Sequence, residues 1–195
     1  MTNPQRILAV ALCTSLFASF VVAADDTLRF DGAVGSAPVG RINNNGTPTD
    51  PTDDFPEVNT IHGVTPGGAP WTIANFRADI RPNGRVSARG EGLLLSGGNN
   101  FGTRGGPRQV LVSLFCRADP IAPATTGAVI GPFHSEFVDL DANGDFRIRG
   151  TLADANGAAP PVPCGNTIDN RPTLLIRTVA GGAPGSWFAA GILRD

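Results

Sequence analysis

Residues 139–150 read DLDANGDFRIRG, which sets Asp139, Asp141, Asn143 and Asp145 at alternate positions with Gly144 among them. Oxygen donors at that spacing are what a calcium loop offers, because a hard cation collects about six to eight oxygens. Such a loop closes with a bidentate glutamate at its twelfth position, which here is Gly150. The same letters also describe two strands joined by an Asn-Gly turn. The four residues therefore stand as weak calcium candidates, with no metal favoured.

Other groups invite a catalytic reading. His134-Ser135-Glu136 puts an imidazole, a hydroxyl and a carboxylate together. Adjacent strand residues point to opposite faces, so Ser135 turns from both neighbours while His134 and Glu136 share a face. Glycoside hydrolysis would need two acids roughly 5–10 Å apart, and Asp79, Glu91, Glu136 and Asp139 fall on expected strands. No GxSxG elbow, HExxH motif or phosphate loop is present. Lysine and tyrosine are absent, which excludes any mechanism built on either. A small hydrolase using strand-borne carboxylates or His134 remains an alternative, and no catalytic residue is assigned.

Binding features are more numerous. Arg77, Arg81, Arg85 and Arg89 occupy odd positions of one hairpin, forming a basic stripe on its solvent side. The loop SGGNNFGTRGGPR, residues 96–108, could offer backbone N–H groups and the guanidinium forks of Arg104 and Arg108 to an anion. Trp71 and Trp187 sit in apolar segments that suit core packing better than an exposed sugar platform.

The elements that must position these groups are strands. WTIANFRADI, RVSARGEGLLL, RQVLVSLFCR, SEFVDLD, DFRIRGTLAD, TLLIRTV and SWFAAGIL alternate or run apolar over short lengths between Gly, Pro and Asn clusters. Period-two segments bounded by turn residues are strands, and no stretch carries a capped 3.6-residue stripe. The expected fold is all-β: an antiparallel β-sandwich (or barrel) of about 7–8 strands.

Two stretches align without gaps at an offset of 60, ADIRPNGRVSARG at 78–90 and VDLDANGDFRIRG at 138–150. Each Asn-Gly suits a type I turn with a left-handed glycine. In the first copy the ligand positions become Arg81, Pro82 and Arg85, where no cation would bind. Arg81 and Arg85 flank one turn, and Asp141 and Asp145 the other. Side by side, the two tips would neutralise each other.

The N-terminal end reads as an export signal, 1–24: Arg6 precedes the apolar run ILAVALCTSLFASFVVA, which ends in small residues. Residues 25–56, rich in Asp, Pro, Asn and Thr, read as a flexible leader, and 57–195 as a single domain. No later stretch is long and apolar enough to span a bilayer, so the expected location is secreted or periplasmic. Cys13 leaves with the signal, and Cys116 and Cys164 then form one disulfide in an oxidising compartment. With Arg6 gone, 14 arginines face 17 acidic residues, a net charge of −3, which argues against nucleic acid as partner. No cofactor motif is present.

The segments GVTPGGAPWTI (63–73) and GAPGSWFAAGI (182–192), with the NG hairpin and RVSARGEGLLL between them, are similar to those of an uncharacterised group of exported bacterial all-β proteins. The resemblance spans roughly residues 58–192 and implies the fold and export, with no known activity to carry over. Together these features describe an exported, non-catalytic binding or structural module of unknown ligand and partner. The hydrolase and the calcium-stabilised extracellular module are the alternatives.

Overall fold

Phe76, Ala78 and Ile80 alternate with Arg77 and Asp79, and Val86 and Ala88 with Ser87 and Arg89, so strands through them bury one face and wet the other. The computed structural model describes residues 26–117, 128–165 and 171–194. The expected signal segment 1–24 lies outside them. Among the described residues every regular element is a strand: β1 (Leu28–Gly35), β2 (Val39–Asn43), β3 (Phe55–Val58), β4 (Trp71–Thr72), β5 (Asn75–Ile80), β6 (Arg85–Glu91), β7 (Leu94–Leu95), β8 (Gln109–Arg117), β9 (Val129–His134), β10 (Val138–Asp139), β11 (Phe146–Thr151), β12 (Thr173–Ala180) and β13 (Ala183–Leu193). None of the described segments is a helix able to cross a membrane.

The main sheet is antiparallel, in the order β10-β8-β12-β13-β1-β5-β6-β11, with β9 also pairing β8. β9 and β10 are one edge strand broken at Ser135–Phe137: Ser113 faces His134, and Val110 faces Val138. β10 leads through the Asp141–Asp145 turn into β11, and His134 bridges Ala153 just past β11. The two ends of the sheet thus meet, and the sheet curls around its own core. Phe30, Phe76, Leu93, Leu114, Leu174 and Ile176 fill that core. The expected all-β antiparallel fold is what the chain adopts.

Residues Val110–Cys116 are buried on both faces, as a continuous apolar run requires. The second face carries Phe115, Leu175 and Trp187 under Ile61 and Val64. There Trp187 Nε1 donates to Asn59 O at 3.0 Å. Trp71, also buried, stacks on Phe188 at 4.0 Å. Cys116 and Cys164 are disulfide-bonded, as expected, tying β8 to the proline-rich connection before β12.

Two expectations are corrected. Within the flexible leader expected over 25–56, two stretches are strands: β1 pairs with β13 on one side and β5 on the other, and β2 pairs β3 as a separate hairpin. Burial of Phe30 between two partners outweighs a composition that reads as unfolded. The Arg and Asp tips, expected side by side, lie at opposite ends of the β6–β11 ladder, where Arg85 faces Thr151 and Phe146 faces Gly90. Both strands start at their tips, so antiparallel pairing must separate them. Five steps of about 3.3 Å put them roughly 16 Å apart, about twice the ~8 Å Debye length.

Each tip instead docks on the exit of the other hairpin. Leu152 N donates to Gly84 O at 2.8 Å, and Leu93 N to Gly144 O at 2.9 Å. The β6–β11 ladder is symmetric under exchange of the two copies: Val86 pairs Gly150 as Gly90 pairs Phe146, about a centre at Ala88–Ile148.

Candidate functional site: the arginine face

The outer face of β1, β5, β6 and β11 gathers side chains that are scattered in sequence. Strand register sets them in rows. Asp31, Arg77, Arg89 and Arg147 lie side by side in one row, and Arg29, Asp79, Ser87 and Arg149 in the next. Arg85 opposite Thr151 begins a third, and Arg81 N donates to Arg85 O at 2.9 Å across the turn. The arginines of this face outnumber its carboxylates Asp31, Asp79 and Glu91, although the whole chain carries a charge of −2.

Arg77, Arg89 and Arg147 are direct neighbours across three strands, with Cβ atoms about 4.5–5.5 Å apart at each step, an arrangement that destabilises a sheet. Partial compensation comes from Asp31, 3.2 Å from Arg77, and from Glu91, paired with Arg89. Asp79 lies 4.0 Å from Arg29. Among the described residues no ion pair engages Arg81, Arg85, Arg147 or Arg149.

Two hollows lie along this face. The larger, about 850 Å³, is lined by Arg29, Arg81, Arg85 and Arg149 with Asp79, Ser87 and Thr151. The smaller, about 310 Å³, is lined by Arg77 and Arg89 with Asp31, Asn75 and Glu91. Among the described residues the single ring along either is Phe76, 2% exposed and packed in the core. Such a surface can hold extended anions through guanidinium forks and hydroxyls, without stacking.

The remaining candidates are placed elsewhere. His134 Nδ1 lies 2.8 Å from Ser113 Oγ, and Arg177 donates to the same oxygen at 3.5 Å. Burial, and then the charge of Arg177, lower the His134 pKa below its ordinary value. Burial likewise lowers that of Arg177, whose other donors reach Gly185 O and Pro184 O. Ser113 is fully buried and so out of reach of a substrate. Ser135 is buried as well: it accepts from Val112 N at 3.0 Å and donates to Glu136 O, filling the break between β9 and β10. Glu136 lines one shallow hollow with His134, whose side-chain hydrogen-bond partner is Ser113.

Asp79 and Glu91 lie apart on the sheet. Asp79 faces Ser87 while Glu91 lies four residues further along β6, roughly 13 Å away. Asp139 accepts from Gln109 Nε2 at 3.4 Å. Asp141 Oδ1 accepts from Asn143 N and Asp145 N, each at 2.8 Å, and Asp145 Oδ1 accepts from Gly92 N at 2.9 Å. These acids build the turn and dock it. Among the described residues no group of three His, Cys, Asp or Glu side chains is placed to hold a metal. In the 96–108 loop, Arg104 donates to Pro107 O and Leu140 O, bonds that fasten the loop.

Compared with known proteins, the chain matches no family model, no curated sequence and no solved structure.

The stripe of Arg77, Arg81, Arg85 and Arg89 was legible as odd positions of a hairpin. Its extension by Arg29, Arg147 and Arg149 was not, because strand order decides it. A third turn, Asp154-Ala155-Asn156-Gly157-Ala158, repeats the Asp141 pattern, with Asp154 Oδ1 accepting from Asn156 N and Ala158 N at 2.8 Å. Those bonds lower the Asp154 pKa. The repeated DANG string in the sequence was the signal for it.

Proposed function

We propose that the chain is an exported, non-catalytic binding module whose ligand is acidic and rests on the arginine face. The observation that carries this reading is the row Arg77–Arg89–Arg147, three like charges opposed across neighbouring strands. That placement works against the sheet, and a bound anion would relieve it. The disulfide is compatible with an oxidising location outside the cytoplasm, and the signal-like N-terminus agrees with it. The test is a glycan and protein array probed with residues 25–195, run beside a hydrolase panel. Acidic hits that disappear in high salt support the reading. Turnover of a hydrolase substrate with no array hit overturns it.

A further inference from the structure

We infer that the ligand of this face is a linear acidic polysaccharide, carboxylated or sulfated, running along the strands over both hollows; the inference rests on the binding reading above. Length is the first reason. The two hollows lie towards opposite ends of β5 and β6, the larger at Arg81 and Arg85 and the smaller lined by Arg77 and Arg89 of the central row with their ion-pair partners Asp31 and Glu91. A single small anion would fill one end only. A chain of charges reaches the end arginines and the central row together.

Chemistry is the second reason. Guanidinium groups make paired hydrogen bonds to carboxylate, sulfate and phosphate, while Ser87 and Thr151 on the floor of the larger hollow offer hydroxyls to sugar hydroxyls. Single-stranded nucleic acid is held by stacking of bases on aromatic rings as well as by charge. Among the described residues the one ring bordering the hollows, Phe76, is buried in the core. Charge and hydroxyl recognition without stacking fits an acidic glycan better than a nucleobase polymer.

The repeat supplies the third reason. Exchange of the two copies carries Arg89 onto Arg149, and the two lie diagonally across the β6–β11 ladder, about 7–8 Å apart. Two equivalent guanidinium groups on one exposed face suit a ligand that repeats its charged group.

The test uses residues 25–195 and titrates polygalacturonate, heparin, neutral dextran, polyphosphate and single-stranded DNA at several salt concentrations. The expected result is binding to polygalacturonate or heparin that weakens steadily with salt, and none to dextran. Arg85→Ser and Arg149→Ser should each weaken that binding about tenfold, whereas Arg108→Ser, an exposed arginine off this face, should leave it unchanged. Thermal melts of each variant show whether the fold is retained. Equal or tighter binding to polyphosphate or DNA would overturn the polysaccharide inference while leaving an acidic-ligand module standing. No binding to any polyanion would overturn both, and equal losses in Arg108→Ser would overturn the assignment to this face.

Discussion

Gly90 and Gly150 occupy the same position in the two related hairpins, yet alanine at each should move stability in opposite directions. In the β6–β11 ladder Gly90 faces Phe146 and Gly150 faces Val86. The larger partner reaches across its glycine; the smaller does not. A Cβ on Gly90 would stand 2.1 Å from Cε1 and 2.3 Å from Cζ of Phe146. That ring is buried and tilted against Phe76, with centroids 6.4 Å apart, so it has little room to retreat. A Cβ on Gly150 would meet nothing within 4 Å. Neither glycine has a positive φ, so the difference is steric.

Forcing a methyl into a packed core costs about 1–3 kcal/mol. Replacing a glycine whose backbone already suits alanine stabilises by about 0.4–1 kcal/mol, through the unfolded chain. The two variants should therefore differ by about 2–3 kcal/mol. At roughly 2–4 °C per kcal/mol for a domain of this size, their Tm values should separate by roughly 5–10 °C. Thermal and urea unfolding of Gly90→Ala and Gly150→Ala, followed by circular dichroism, measure it. Adding Phe146→Leu to Gly90→Ala should recover part of the loss, because the two residues share one contact. Equal Tm shifts in the two single variants would refute the reasoning.

The other Asn-Gly turns give a similar contrast: a Cβ on Gly144 would stand 2.5 Å from the backbone oxygen of Leu93, and one on Gly157 in open space. Both have positive φ, 80° and 84°, so Gly157→Ala should cost only backbone strain of about 1–2 kcal/mol, and Gly144→Ala clearly more in the same urea unfolding assay. Ser135→Ala should destabilise by about 1–3 kcal/mol, since it leaves the buried Val112 N–H without its 3.0 Å acceptor. Removing the disulfide by paired Cys→Ser changes opens a loop of sequence separation 48, and the chain-entropy relation puts the loss near ~4 kcal/mol in denaturant titrations. For His134 the folded pKa lies below the ordinary 6.5, so the unfolded chain binds the proton more readily. Stability should be level above that pH, fall as pH drops from 6.5 through the folded pKa, and fall less in His134→Gln.

Much of the fold could be read from alternation because one face of most strands meets water. Where that contrast fails, so does the reading. β1 buries Phe30 but bends between Phe30 and Ala33, with Gly32 at φ 86°, and its neighbours come from distant parts of the chain. β9 is an edge strand with Val129 and Ile130 exposed, Pro132 within it and only Phe133 buried, so most of its apolar residues do not mark a buried face. The cysteine pair was legible from the number of cysteines and the expectation of export. The relation between the hairpin tips was not, since an alignment carries no information on the direction in which two hairpins pack.

The net charge of the chain and the charge of the arginine face differ for a reason that the turns make plain. Asp50, Asp141 and Asp154 each accept backbone N–H groups within their own turns. Carboxylates suit that task because a short anionic acceptor satisfies donors the turn leaves open. A fold with many tight turns therefore acquires acids at strand ends whatever it binds. Arginine carries no acceptor for those donors, and its long stem suits mid-strand positions where it can lie over the sheet. Summed over the chain the two tendencies give −2, but a ligand feels mainly charges within about a Debye length, ~8 Å. On the β1-β5-β6-β11 face those are mostly guanidinium groups. The acidic balance of the whole chain thus reflects how its turns are made, and the charge of this one face is set separately by strand order.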